Sequence, residues 1–189
     1  IVLIVLGYIN MKGNPFFVQP RPGKNGKVFN MIKFRSMTCE RDAEGNLLPD
    51  EVRLNRYGKL LRSTSLDELP ELFCIFMGKM SFVGPRPLLV EYLPYYTKEE
   101  FRRHDVLPGL TGLAQVSGRN YMTWERKFAL DNEYIDNLSF INDVKILIRT
   151  VFVALKHDDI ETASQIEHDG VVYRPLNVER AGMEVNYVN

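Results

Sequence analysis

Residues 1–11 carry no charge, and the run Ile1-Val2-Leu3-Ile4-Val5-Leu6 has to leave water, either into a protein core or into lipid. Six apolar residues, or nine with Gly7, Tyr8 and Ile9, fall well short of the ~20 that span a bilayer. No basic leader or small-residue cleavage site accompanies them, so an intact signal peptide is not expected. The first residue is not Met, which leads to the expectation that the natural start lies upstream. Two readings stay open: a buried strand or helix end in a soluble core, and the last limb of a membrane-embedded segment.

The remaining charge is unevenly spread. The chain of 189 residues balances 24 basic against 24 acidic side chains. Residues 12–63 hold 11 basic and 5 acidic groups, residues 64–156 hold 11 and 12, and residues 157–189 hold 2 and 7. The zero total argues against a nucleic-acid binder. A basic first third beside an apolar start favours phosphate-rich partners or a membrane surface. With 45% hydrophobic and 25% charged residues, a folded core is expected and a disordered chain is excluded. Cys39 and Cys74 lack metal-ligand spacing and read as two reduced thiols.

Periodicity predicts a mainly helical α+β domain. Residues 15–37 read as a β-hairpin, with Phe16-Phe17-Val18 and residues 28–34 as strands and Pro22-Gly23-Lys24-Asn25-Gly26 as the turn. Residues 40–50 read as a surface loop, and helices are expected over 51–61 and 67–77. Thr97-Lys98-Glu99-Glu100 is a capping-box pattern opening a helix that runs to residue 104. Residues 108–120 read as a structured loop or irregular strand. Trp124, Phe128, Ile135 and Leu138 make a helical stripe, and Asp131 falls on it, where an acid needs a partner or water. Ser139 is expected to cap a last helix with Val144, Leu147, Ile148, Val151, Phe152 and Leu155 on one face and Lys145, Arg149 and Lys156 on another. Core packing is the default for that apolar face; a basic amphipathic helix also suits an anionic membrane. The acidic end reads as a tail with one short strand at 170–173.

Chemistry concentrates in three stretches. In Leu61-Arg62-Ser63-Thr64-Ser65-Leu66-Asp67-Glu68-Leu69-Pro70, either Ser65-x-x-Glu68 is a capping box or Asp67 is itself the cap. Both alternatives put two carboxylates near a positive helix end. In Gly78-Lys79-Met80-Ser81-Phe82-Val83-Gly84-Pro85-Arg86-Pro87, two prolines stiffen the backbone around Arg86, a mount suited to bidentate phosphate recognition. In Lys33-Phe34-Arg35-Ser36-Met37, alternation places Lys33 and Arg35 on one face, where both can address one anion or simply be exposed. No Walker A, GxGxxG or GxSxG sequence is present, and His104, His157 and His168 form no ligand pattern.

Taken in order, these blocks resemble the bacterial sugar transferases, the monotopic phosphoglycosyl transferases that act on polyprenyl phosphate. The likeness covers about residues 14–155. It includes Phe17-x-Gln19-x-Arg21-x-Gly23, Lys33 to Met37, Leu66-Asp67-Glu68-Leu69-Pro70 and Gly78-x-Met80-Ser81-Phe82-Val83-Gly84-Pro85-Arg86-Pro87. It continues through Pro108-Gly109-Leu110-Thr111-Gly112, Gln115-Val116-x-Gly118-Arg119-Asn120 and Asp131. Leu88-Leu89-Val90-Glu91-Tyr92-Leu93-Pro94 is similar to the small bacillosamine-type members.

The resemblance implies that Asp67 attacks the sugar-side phosphate of a UDP-sugar, releasing UMP. Polyprenyl phosphate, undecaprenyl phosphate being the usual one, then takes the sugar phosphate from Asp67. This is the first membrane step in assembling a glycoprotein, capsule, O-antigen or exopolysaccharide. Glu68 is implied as the ligand of Mg²⁺, and Lys33, Arg35, Arg62, Arg86 and Arg119 as phosphate-binding residues. Ser65, Pro85, Pro87 and Asp131 are implied as supporting residues. It further implies residues 1–13 as the exit limb of a re-entrant membrane helix, 14–156 as the catalytic domain and 157–189 as a tail. Amphipathic helices would lie on the cytoplasmic face of the bacterial inner membrane. Partners would be lipid and downstream glycosyltransferases, with no nucleic acid. Arg21, Lys24 and Lys27, around the hairpin turn, are expected to meet lipid headgroups. Cys74, Lys79, Leu113 and Ser117 depart from residues frequent in the family. A competing expectation is a non-catalytic membrane-surface adaptor; a soluble glycosyltransferase releasing UDP is a third.

Overall fold

In the computed structural model, residues 1–118, 122–155, 166–168 and 171–183 are described. The architecture is α+β: short helices surround small two-stranded sheets.

The uncharged start is a helix, α1 (Val2–Asn10), rather than a strand. Only its Gly7 is buried, because a Cβ there would stand 2.8 Å from the Pro15 Cβ. Val5, Tyr8 and Ile9 lie more than half exposed. The helix is tied down by Tyr57, whose hydroxyl donates to the Leu3 carbonyl at 2.9 Å.

The hairpin forms as its sequence predicts. Strands β1 (Phe16–Pro22) and β2 (Val28–Phe34) pair antiparallel from Phe16↔Phe34 to Pro22↔Val28. Asn25, at φ 57°, makes the turn. Met11, Phe34, Tyr57 and Leu61 form one small core beneath the hairpin; Met31, Cys74 and Met80 form another. Cys39 and Cys74 are both free thiols, as read.

Two expected helices are shorter than predicted. Residues 51–61 divide into α2 (Asp50–Arg53) and α3 (Arg56–Ser63), because Asn55 leaves the helical path and caps α3, accepting from the Gly58 amide at 3.0 Å. Residues 67–77 divide into a 3₁₀ turn over Leu66–Glu68 and α4 (Glu71–Phe76). Ser65 turns the chain in the left-handed region, φ 54°, and Pro70, lacking an N–H, takes the N-cap position of α4.

Of residues 108–120, the described part, 108–118, is more regular than expected. Strand β4 (Gly109–Thr111) pairs parallel to β3 (Ser81–Val83), and α6 (Leu113–Gly118) follows. Glycine at 84 and 109 permits that approach: a Cβ on Gly109 would lie 2.2 Å from the Gly84 nitrogen. The capping box at Thr97 is present, opening α5 (Lys98–Phe101), with a 3₁₀ turn continuing to His104.

Helix α7 (Trp124–Asp136) buries Phe128 and Asp131, and α8 (Phe140–Leu155) follows Ser139, whose hydroxyl accepts from the Asn142 amide at 3.3 Å. Core packing does not explain the apolar face of α8. Ile146 is buried with Val83 and Tyr134, whereas Val144, Leu147, Ile148, Val151 and Phe152 are 37% to 64% exposed. The contact is a narrow stripe fixed by polar bonds: the Thr150 and Thr111 hydroxyls lie 2.7 Å apart, and the Tyr134 hydroxyl donates to Asp143 at 2.9 Å. Lys156 and the side chain of Leu155 lie outside the described residues. The predicted tail strand is β6 (Val171–Tyr173), paired with β5 (Ile166–His168) ahead of α9 (Leu176–Glu179).

Candidate active site

Four elements supply the site. Lys33 projects from β2 on the rung opposite Phe17. Asp67 and Glu68 sit on the 3₁₀ turn, Glu71 opens α4, and Arg86 follows β3 between the buried Pro85 and Pro87. The Glu68 Oε1 accepts from the Lys33 ammonium at 2.8 Å and from the Arg86 guanidinium at 2.5 Å. Lys33 also lies 3.0 Å from the Glu71 carboxylate, which is only 2% exposed.

The two neighbouring carboxyls are pushed apart electrostatically. Burial alone would raise Glu68, but Arg86 and Lys33 outweigh it and hold the carboxyl at about 2. Asp67 moves the other way: burial raises it, the Glu68 charge adds to that, and Lys33 and Arg62 only partly offset the rise. Among the described residues no ion pair to Asp67 is formed. One acid is locked as a charge by cations. The other is left more basic and, among the described residues, in no ion pair.

The caps expected at this turn are not made. Ser65 makes no side-chain capping bond, and neither it nor Asp67 occupies the N-cap of α4. The left-handed Ser65 backbone and Pro70 shift the helix start, and Glu68 spends its carboxylate on Lys33 and Arg86.

The remaining sequence candidates disperse. Arg62 donates to the Ser36 hydroxyl at 2.9 Å and lies close enough to Asp67 for its charge to act there. Arg35 is not brought to the anion cluster with Lys33. Strand β2 ends at Phe34, and the Arg35 guanidinium turns back to the Asn14 and Phe16 carbonyls, both at 3.1 Å. Arg119 lies outside the described residues. Asp131 finds the partner its position demanded in Arg103, with Nε–Oδ2 at 3.0 Å. Arg103 then donates to the Arg86 carbonyl at 2.7 Å and to the Tyr96 hydroxyl at 3.1 Å, so this buried pair holds the backbone that carries Arg86.

Glu71, Arg103 and Arg21 were not read from the sequence as site residues. Glu71 stands three residues after Glu68, a spacing that sets both on one side of a helical turn. Arg21, which the sequence reading assigns to lipid headgroups, is half-buried on the hairpin face that bears Lys33.

For a metal, the donors are hard carboxylate oxygens. Among the described residues no three His, Cys, Asp or Glu side chains converge as a cage. The set fits an ion that brings phosphate oxygens and water as its remaining ligands, the habit of Mg²⁺.

The family pattern described as bacterial sugar transferase matches residues 1–157. The chain belongs to the bacterial sugar transferase family. This agrees with the motif order and with the expectation of an enzyme. Among its relatives, the sugar transferase EpsL of Bacillus subtilis is 52% identical over 168 residues, covering 88% of this chain and 83% of that protein. The undecaprenyl-phosphate galactose phosphotransferase of Salmonella typhimurium is 35% identical over 83% of this chain. The UDP-glucose:undecaprenyl-phosphate glucose-1-phosphate transferase of Klebsiella pneumoniae is 40% identical over 75% of it. The chain spans only 37% and 32% of those two longer family members.

Proposed function

We propose that the chain transfers a sugar 1-phosphate from a UDP-sugar to polyprenyl phosphate through a covalent intermediate on Asp67. The observation that carries this reading is the contrast within one turn: Glu68 is fixed by two cations while Asp67, beside them, is in no ion pair among the described residues and is made more basic. The named activities of the relatives in Salmonella and Klebsiella support the substrate classes.

In the first step an Asp67 carboxylate oxygen attacks the sugar-side phosphorus. The new O–P bond forms as the bond to the bridging oxygen breaks, and UMP leaves with the electron pair. In the second step a phosphate oxygen of the polyprenyl phosphate attacks the same phosphorus and displaces Asp67. The product is the polyprenyl-diphosphate sugar, and the carboxylate is restored. Lys33 and Arg86 offset the charge that one anion meets on attacking another, and the Arg103–Asp131 pair keeps Arg86 in position. Mg²⁺, held through Glu68 together with substrate phosphate oxygens, would neutralise charge on the diphosphate.

The acceptor is a lipid, and the exposed apolar residues of α1, α4 and α8 support a seat at the cytoplasmic membrane surface. None of the helices among the described residues is long and apolar enough to cross a membrane. The test is product analysis with a panel of UDP-sugars in membranes containing polyprenyl phosphate. UMP release supports the reading. UDP release would mean glycosyl transfer instead, and release of neither would leave a non-catalytic adaptor.

A further inference from the structure

Helix α4 lies along β2 in the opposite chain direction. Glu71, its first residue, meets Lys33 near the end of β2 at 3.0 Å, and the Cys74 thiol donates to the Asn30 carbonyl at 3.8 Å. A groove of about 480 Å³ opens along this seam, a size typical of small-molecule sites. Its walls are Val28, Phe29 and Ile32 of β2 against Phe73, Cys74 and Met77 of α4 and its C-cap. Phe29 and Cys74 belong to the core around Met31 and Met80, so packing fixes that part of the lining. Val28, Phe73 and Met77 are more than half exposed and leave the groove open.

The groove and the candidate active site share both walls. Ile32 is the residue before Lys33, and Phe73 follows Glu71 by one turn position, so the inner end of the groove borders the Lys33–Glu68–Glu71 cluster. From Ile32 to Val28 the trough follows about 13 Å of strand. Its polar lining is Asn30 and Lys79, and none of the lining residues is acidic. Along the seam a ligand would meet cations first and then a run of apolar side chains. That order is complementary to a phosphate ester of a long hydrocarbon alcohol. It does not suit a nucleoside, whose base and ribose would lose water against apolar walls without regaining their hydrogen bonds. The exposed Lys79 adds a cation, rather than an acid, where a tail leaving the groove would reach lipid headgroups.

We infer that the groove between β2 and α4 holds the hydrocarbon chain of the lipid acceptor, with the acceptor phosphate at the Lys33 end and the tail leaving past Met77 and Lys79. The identity of the ligand as acceptor rests on the reading under Proposed function; the binding of a phosphorylated hydrocarbon does not.

The full chain is titrated calorimetrically with farnesyl phosphate, a short soluble member of the class, and with inorganic phosphate. Wild type should bind farnesyl phosphate at least about tenfold more tightly than inorganic phosphate, since only the former fills the apolar trough. Met77→Glu and Val28→Glu each put a carboxylate into a wall, and each should weaken farnesyl phosphate about tenfold or more. Phe76→Glu, on the same helix but outside the lining, should leave that affinity unchanged. In turnover, Met77→Glu should raise the KM for polyprenyl phosphate while UMP release in the absence of acceptor keeps its wild-type rate. Farnesyl phosphate bound no more tightly than inorganic phosphate would overturn the inference. Wild-type affinity in Met77→Glu, or in Val28→Glu should the first variant not fold, would overturn it too, as would an equal loss in Phe76→Glu. Groove-dependent binding without UMP release from any UDP-sugar would uphold the groove and overturn the transferase reading. UMP release with an acceptor KM unaltered in both wall variants would do the reverse.

Discussion

Asp67 and Glu68 are neighbours on one turn, and the difference between them comes from what each side chain reaches. Glu68 meets Lys33 and Arg86 and stays ionised down to a pH of about 2, against a usual value of 4.5. A depressed carboxyl stabilises the fold above its unfolded value, and that contribution is lost as the pH falls from about 4.5 toward 2. Glu68→Gln should therefore flatten the acid limb of a plot of melting temperature against pH in that window. It should also abolish Mg²⁺-dependent turnover; a wild-type rate would leave Glu68 a purely structural link. Arg103 and Asp131 belong to a different class, a buried pair only 3% and 5% exposed. Removing one partner strands the other, at a cost of about 3–5 kcal/mol. Asp131→Asn should lower the urea midpoint accordingly, and it should raise the KM for donor by loosening the Arg86 mount.

At the scale of elements, His104 ties the 3₁₀ turn after α5 to the hairpin. Its Nδ1 lies 3.2 Å from the Gly23 carbonyl, and its ring packs on Tyr96 and Phe101. Burial, reinforced by Arg103, pushes its pKa down to about 3. The folded state therefore resists protonation, and the stability this imposes is complete above the unfolded value of about 6.5 and lost as the pH falls toward 3. His104→Phe should be less stable at neutral pH, having lost that hydrogen bond, yet lose less on acidification from pH 6.5 to 4. Calorimetric melting across that range checks both. Gly58 fixes α3 in the same mechanical sense: a Cβ would stand 1.8 Å from the Ser36 carbonyl oxygen. Gly58→Ala should displace α3, and with it the Arg62–Ser36 bond, at a cost of about 1–3 kcal/mol.

Elements with local signals were legible in the sequence. The hairpin turn, the Thr97 box and the stripe of α7 all depend on residues close in the chain. What was not legible depended on contacts across it. The helix expected over 67–77 starts late because Ser65 and Pro70 act together with a Glu68 that is drawn to Lys33 and Arg86. The apolar face of α8 satisfies the periodicity of a core helix, but Val144, Leu147, Ile148, Val151 and Phe152 lie exposed while Ile146 is buried. In the site, Asp67, Glu68, Lys33 and Arg86 could be nominated by residue type and motif. Arg35 could not be separated from Lys33 by alternation, since the strand ends between them. Arg21 needed the hairpin register before its neighbours were known.

At the scale of the molecule, the chain leaves large apolar groups in water. Phe76 is 87% exposed, Phe73 70% and Phe140 82%, besides the outward side chains of α1. Isolated apolar residues on a surface are ordinary; this many large ones concentrated on three helices are not. They suit the lipid acceptor of the proposed reaction, and the full chain should co-sediment with vesicles containing anionic lipid. Phe73→Glu with Phe76→Glu should weaken that sedimentation while leaving the circular dichroism spectrum unchanged.

The zero overall charge is compatible with this surface, since Lys33, Arg62 and Arg86 still stand beside the two carboxyls of the 66–68 turn. The central claim, that Asp67 carries the sugar phosphate between donor and acceptor, is tested most directly by intact-mass spectrometry of the protein incubated with a UDP-sugar and no acceptor. The account predicts a mass gain of one sugar phosphate on wild type, discharged when polyprenyl phosphate is added, and none on Asp67→Asn. An adduct of the same mass that persists in Asp67→Asn would contradict it.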